Sequence, residues 1–329
     1  MATELVIDVK NQVKQALVEV EKRNIENVFF VACGGSSALM YPSKYVIDRE
    51  AQKVDAHLYS SNEFIHRNHN KLGSSSLVIL CSHSGTTPET VEAAEFARQH
   101  GALAIALTNE PGSPLAQAAD VVLKYEWGQE ANAFTTNYSV LYQLVFGVLK
   151  VVENNSKFEA IETSLENLQN VFEKAVSKYQ EKAEQFGQLY KDEKIIYTMA
   201  SGANYGVAYS FAICILMEMQ WIHSHAIHAG EYFHGPFEII DEETPFIILL
   251  GLDETRPMEE RALEFSKRYG KKLVVLDAKD FDYEGIQNEV KGYIAPLVLN
   301  YVLRKYADQL AEARNHPLST RRYMWKVEY

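Results

Sequence analysis

The sequence contains one segment pattern twice. Phe30-Val31-Ala32-Cys33-Gly34-Gly35 is matched by Thr198-Met199-Ala200-Ser201-Gly202-Ala203, 168 residues further on. Ala94-Glu95-Phe96-Ala97-Arg98-Gln99-His100-Gly101 is matched by Leu263-Glu264-Phe265-Ser266-Lys267-Arg268-Tyr269-Gly270, and Pro88 by Pro257, both at a spacing of 169. A repeat of that length means two domains of one fold rather than a stack of short units, and 329 residues suit two domains. Within the first copy, short continuous apolar runs (Val28–Ala32, Leu77–Cys81, Leu103–Leu107, Val121–Tyr125) read as buried parallel strands. His57–Tyr59 suggests one more. Helical segments alternate with them, and Gly101 closes the one that begins at Pro88. The alternation predicts an α/β fold in each half, with a doubly wound, mostly parallel sheet flanked by helices.

The remaining segments set the boundaries. Residues 3–23 repeat Val6, Val9, Val13, Leu17 and Val20 at three- and four-residue steps, an amphipathic helix. Residues 137–191 contain no Pro, and no Gly besides Gly147 and Gly187, so they read as helices. Val140, Leu144, Val148 and Val151 form an apolar stripe there, and 155–191 reads as a charged hairpin. We expect a first domain at 1–153, a helical connector at 154–191 and a second domain at 192–329, with a final helix over Ile294–Ala313 that takes Pro296 in its first turn.

Composition excludes several partners. A net charge of -12 argues against nucleic acid and anionic membrane. An anionic small substrate would need a local positive pocket, which helix N-termini and backbone N–H groups supply without lysines. Cys33, Cys81 and Cys214 sit in or after apolar runs without metal-ligand spacing, as reduced thiols of a cytoplasmic protein would. Asp8, Lys10 and Lys14 break any signal peptide early, and no stretch has the ~18 clean apolar residues of a membrane span.

Two loops then stand out. Cys33-Gly34-Gly35-Ser36-Ser37 and Ser82-His83-Ser84-Gly85-Thr86-Thr87-Pro88-Glu89 each follow a strand and open a helix. Loops at the carboxyl ends of strands line the ligand crevice of an open α/β sheet. Ser36, Ser82, Ser84 and Thr87 offer hydroxyls, while Gly34, Gly35 and Gly85 let backbone N–H groups approach. The pattern lacks the fingerprints of a dinucleotide site and of a P-loop. It suits a phosphate, although two ordinary capped helix starts would also read this way. The matching loop of the second half reads Gly-Leu-Asp-Glu-Thr-Arg-Pro, so only the first half is built for an anion.

The second half carries something else. From Ile195 to Gly230 the single formal charge is Glu218, inside Phe211–Ile222. An ionised carboxylate there costs several kcal/mol unless it is paired or used. His234 follows in a His-Gly-Pro-Phe segment, and the two form a candidate acid/base pair. A satisfied buried Glu and a core or capping His are the plainer alternative. Glu231 stands three residues before His234, where it would orient the ring or act as a first-turn helix charge. His223, His225 and His228 have no companion carboxylate motif, so no metal is expected. The tail, with Arg321, Arg322 and Lys326 as cations, His316 as a fourth candidate, and Tyr323, Trp325 and Tyr329 as aromatics, should dock on the body or pack against a subunit.

The loops and the duplication together resemble the sugar isomerase (SIS) domain family, over nearly the whole chain as two tandem copies, the second of which holds the segment Glu218–Ile240. The catalytic segment is similar to that of the isomerase half of glucosamine-6-phosphate synthase, without its glutaminase domain. It resembles most the fructosamine-6-phosphate deglycases, as does the tail from Ala313 to Tyr329. The resemblance implies a phosphosugar enzyme that hydrolyses Amadori products of amino acids to glucose 6-phosphate and free amino acid. Proton transfer suffices for that reaction, so no metal or other cofactor is expected, and the resemblance implies a homodimer or larger homo-oligomer. It places Ser36, Ser82, Ser84 and Thr87 at the phosphate, Glu218 on the C1/C2 proton and His234 as second acid/base. Gly35, His83, Gly85, Asn132, Glu231, Arg322 and Lys326 are further candidates for substrate contact. Phe233 and Asn132 depart from the synthase pattern, which holds lysine at both points. An aldose–ketose or amino-sugar phosphate isomerase is the alternative, followed by a non-catalytic phosphosugar sensor.

Overall fold

In the computed structural model, which describes residues 7–128 and 130–328, each apolar run of the first half is a parallel strand. Residues 1–6, with Val6 and the start of the expected first helix, lie outside the described residues, as do Gln129 and Tyr329. The chain divides into two units, Met1–Gln169 with Gly285–Val290, and Asn170–Glu284 with Lys291–Tyr329.

In the first unit the order is α1 (Val9–Glu21), β1 (Asn27–Ala32), α2 (Gly34–Ala38), α3 (Tyr41–Glu50), β2 (Asp55–Tyr59), α4 (Ser61–Arg67), β3 (Ser76–Cys81), α5 (Pro88–Gln99), β4 (Leu103–Thr108), α6 (Pro114–Ala118), β5 (Val121–Lys124), α7 (Asn137–Glu153) and α8 (Phe158–Glu166). The sheet order is β2-β1-β3-β4-β5, all parallel. Strands β1, β3 and β4 are buried at every residue, which is why they read as continuous apolar runs. Helix α1 buries Val9, Val13, Ala16 and Val20, and its Gln12 side chain accepts from the Lys124 N–H of edge strand β5 at 2.7 Å. It comes so close to α7 that a Cβ at Gly147 would lie 2.6 Å from Leu17 Cδ1. Gly101, at φ +82°, follows the cap of α5.

The second unit takes in most of α9 (Leu168–Tyr190) and continues with β6 (Tyr197–Ala200), α10 (Tyr205–Ser210), a π-helix at Phe211–Met219, β7 (Ala226–His228), β8 (Phe246–Leu250), α11 (Arg256–Tyr269), β9 (Leu273–Asp277) and α12 (Lys291–Ala313). Its sheet runs β7-β6-β8-β9, again parallel. One expectation fails here. Helix α12 begins a turn earlier than its sequence suggests, so Pro296 lies inside it rather than in the first turn. The ring forfeits the hydrogen bond to the Gly292 carbonyl. Burial of Tyr293, Ile294, Leu297, Val298 and Leu299 offsets that loss.

Candidate active site

In the first unit the chain passes from β1 to β2 on one side and from β3 to β4 and β5 on the other. The direction of winding reverses between β1 and β3, and an open sheet leaves a crevice beyond the strand ends at such a point. Pairing of Ala32 with Cys81 sets the two serine-rich loops level with each other. Ser36, half-buried, hydrogen-bonds with the Cys81 thiol at the end of β3. Burial pushes that thiol up to about 12, so it stays protonated. Ser82 is buried, 3% exposed, and its hydroxyl lies 2.9 Å from that of Thr87, the residue that caps α5. Ser84 is exposed, paired with the Thr86 hydroxyl at 2.7 Å and accepting the Thr86 N–H at 3.3 Å. Gly85 is required: at φ +64° a Cβ would lie 1.9 Å from Ser113 Oγ. Gly35 is exposed in the first turn of α2. The structure thus joins Ser82 to Thr87 and sets Ser36 at the neighbouring strand end, while Ser84 faces outward.

Two further candidates of this unit are held by protein contacts. His83 shares a hydrogen bond with the Tyr125 hydroxyl at 2.9 Å, and its ring meets Trp127 at 5.5 Å. Burial lowers its pKa, favouring neutral imidazole, and Glu110 opposes this. Asn132 is exposed and accepts the Phe134 N–H at 2.9 Å, capping its own turn.

In the second unit Glu218 stands near the end of the π-helix, where the Gln220 N–H reaches back five residues to the Ile215 carbonyl at 2.9 Å. Such wide turns recur at functional sites. Phe211, Ala212, Cys214, Ile215 and Leu216 face the interior, Met217 is exposed and Glu218 is half-buried. Burial raises the Glu218 pKa, and the Arg321 guanidinium partly opposes that. Arg321 Nη2 lies 2.8 Å from Glu218 Oε1, with side-chain exposures of 9% and 25%. The carboxylate is therefore neither enclosed nor unpaired, as the sequence alone suggested. A helix C-terminus is the wrong end for an anion, and the tail supplies the compensating cation.

His234 departs from expectation in another way. It is exposed rather than buried, at the end of a 3₁₀ turn over Tyr232–His234. Gly235 at φ +141° breaks that turn from the next, Pro236–Ile239. The hydrogen bond between His234 and Glu231 is from backbone N–H to carbonyl, at 2.9 Å. Among the described residues no side-chain bond joins His234 to Glu231 or to Glu218. Phe233 packs against Phe237 and Phe265, under the Arg261 guanidinium at 4.1 Å. His223 and His225 are exposed, and His228 accepts the Gly230 N–H at 3.1 Å. No group of three or more potential metal ligands forms among the described residues.

The tail lies against the π-helix end. Gln220 Nε2 donates to the His316 carbonyl at 2.7 Å, His316 meets Trp221 edge-on at 4.6 Å, and Arg322 covers Trp221 at 4.3 Å. Lys326 donates to the Arg321 carbonyl at 2.6 Å. Of the tail cations it is Arg321, not Arg322 or Lys326, that meets the candidate base.

A model of the SIS domain matches residues 22–147 and 189–282. The chain belongs to the SIS-domain family. It is 68% identical to the fructosamine deglycase FrlB of Bacillus subtilis, over 98% of both chains. It is 30% identical to the fructoselysine 6-phosphate deglycase of Escherichia coli K12, over 93% of this chain and 87% of that one. A crystal structure from Bacillus subtilis, 68% identical, superposes with a TM-score of 0.96 over 97% of both chains. No helix among the described residues is long and apolar enough to cross a membrane.

The second SIS domain winds the same way, with its reversal between β6 and β8. Its crevice is filled from within. Glu259, fully buried, accepts from Ser201 N–H at 3.0 Å, Ser201 Oγ at 2.9 Å and Gly251 N–H at 2.6 Å. Asp253 accepts from Thr255 N–H at 2.8 Å and from Ala203 N–H at 3.4 Å. Sequence reasoning passed over Glu259 and gave Arg321 no partner. The first lies on a helix rather than in a loop, and the second is one cation among several in the tail.

Proposed function

We propose that this chain is a fructosamine-6-phosphate deglycase of the cytoplasm, acting as a homodimer or larger homo-oligomer. The observation that carries the reading is its 68% identity, along nearly the full length, to a fructosamine deglycase. The chemistry of each unit supports it: in the first, hydroxyls and helix starts without lysine, suited to a phosphate, and in the second, a carboxylate whose pKa is raised by burial, suited to a base.

The substrate is an Amadori ketoamine with a 6-phosphate. Ser36, Ser82, Ser84 and Thr87 hold the phosphate through hydroxyl and nearby backbone donors. The C2 carbonyl acidifies the C1 protons. Glu218 removes one, and the electron pair forms a C1–C2 double bond while O2 is protonated, giving an enaminol. Protonation at C2 moves the double bond to C1–N, a Schiff base. Water adds at C1, and the C1–N bond breaks to release amine and glucose 6-phosphate. His234, exposed on its unit, exchanges protons with substrate oxygen or nitrogen in this reading. No step calls for a metal, because each is a proton transfer, the addition of water or the acid-assisted expulsion of the amine.

The test is to incubate the protein with fructosyl-amino acid 6-phosphates and follow glucose 6-phosphate and free amine. Both are expected in equal amounts. Interconversion of sugar phosphates without amine release would replace this reading with an isomerase.

A further inference from the structure

Arg321 is the least expected partner in the second unit. Its Nη1 donates to the Leu318 carbonyl at 2.8 Å and the Thr320 carbonyl at 2.9 Å, locking the guanidinium to its own turn. Trp325 covers it at 5.4 Å, and Lys326 ties down its carbonyl. Its Nε is buried and has no partner. The free side of this fixed fork is spent on one oxygen of Glu218. No other donor among the described residues bonds that carboxylate, so Oε2 is left over.

We propose that Arg321 is a positioning residue for Glu218: it clamps Oε1, orients Oε2 for proton abstraction, and makes the C-terminal tail part of the reacting apparatus. This rests on the deglycase reading above. A guanidinium suits the task better than an ammonium, because its planar fork fixes direction as well as charge. The surroundings contain few competitors. Among the described residues, the charged or titratable groups near the Glu218 end include Cys214 on the same helix, whose thiol burial pushes up to about 11, and His316, Arg314 and Arg322 on the tail side. Arg314 is committed to the Lys191 and Gln220 carbonyls, and Arg322 to the Trp221 ring. Among the described residues Arg321 alone forms an ion pair with Glu218.

Purified full-length protein decides this through the pH profile of kcat and KM for wild type, Arg321→Met and Arg321→Lys. Arg321→Met should lose kcat by about 100-fold, the order expected when a reacting group is misplaced by about 1 Å, with KM within about threefold. Its acidic limb should move to higher pH, because a base without its cation holds its proton longer. Arg321→Lys should bring the limb back toward wild type and recover only part of kcat. A tail that merely braces the fold would lower kcat in all variants without moving the limb. Superimposed pH profiles of Arg321→Met and wild type would overturn the proposal. A titration of the Glu218 carboxyl by carbon-13 NMR, assigned with Glu218→Gln, reads the same coupling without substrate. An unchanged titration in Arg321→Lys and Arg321→Met overturns the proposal even if no deglycase activity is found. Absence of activity in wild type with an intact coupling sinks only the functional reading.

Discussion

The two SIS domains reverse their winding at the same point and fill that point with opposite chemistry. In the first, Ser36, Ser82 and Thr87 lie at the β1/β3 strand ends with Ser84 exposed beside them, and no carboxylate bonds these loops among the contacts described. In the second, Glu259 and Asp253 occupy the N–H groups that an anion would use at β6/β8. The repeat makes the exchange explicit. Ser84 corresponds to Asp253, Gly85 to Glu254, Thr87 to Arg256 and Thr90 to Glu259. Thr90 turns its hydroxyl to Ser61 at 2.9 Å, leaving the strand ends alone. Arg256, in turn, forms a two-point pair with Asp277 at 2.8 and 2.6 Å. Topology supplies the crevice twice, and in the second copy Glu259 and Asp253 take up N–H groups at its strand ends. The second copy is then free to contribute a different element, the π-helix with Glu218.

That division can be broken in steps. The largest effect should come from Glu218→Gln, with kcat falling by about 10³-fold, KM little changed and the thermal transition retained. A rise in KM alone would show that the second domain binds rather than reacts. Next is Ser84→Asp, which writes the second loop into the first. It should raise KM at least about 30-fold, the value of a lost hydrogen bond to a charged group plus like-charge repulsion, and abolish competition by inorganic phosphate. Unchanged competition would place the anion elsewhere. The reverse change, Asp253→Ser, should leave KM within about twofold and destabilise the protein by about 1–3 kcal/mol, because the Ala203 N–H loses its acceptor. Gain of phosphate binding by that variant would show that the second crevice is blocked by one residue only.

A further effect concerns pH. Burial raises Glu259 from the ordinary 4.5 to about 7, while its three donors work against the shift. A raised carboxyl contributes stability that is fully present below about 4.5 and is lost as pH rises through about 7. Unfolding by urea across that window should show declining stability for wild type and a flatter profile for Glu259→Gln. Parallel profiles would mean that the three donors keep Glu259 ionised throughout.

Much of this was legible in the sequence. Buried parallel strands read as apolar runs because both faces of the sheet are covered, and the loops could be placed because each follows such a run. The duplication is local similarity and needs no structure. Glu218 stood out because a charge in an apolar segment demands an explanation. Misreadings arose where neighbours in sequence are not neighbours in space. Pro296 looked like a helix start, yet α12 starts earlier because the burial of Tyr293 and Ile294 outweighs one lost bond. His234 read equally as an acid/base partner or as a core or capping residue, and the turn ended by Gly235 leaves it exposed.

By itself, then, the sequence determined the fold class, the two crevice loops and the identity of the unusual carboxylate. All of these rest on periodicity, composition and local repeats, whose physical basis lies within a few residues. Only the tertiary structure decided that Glu218 ends a π-helix, that Arg321 rather than Arg322 or Lys326 meets it, and that Glu259 closes the second crevice. Those are pairings between segments distant along the chain, fixed by how sheets and helices pack and not by any spacing that the sequence displays.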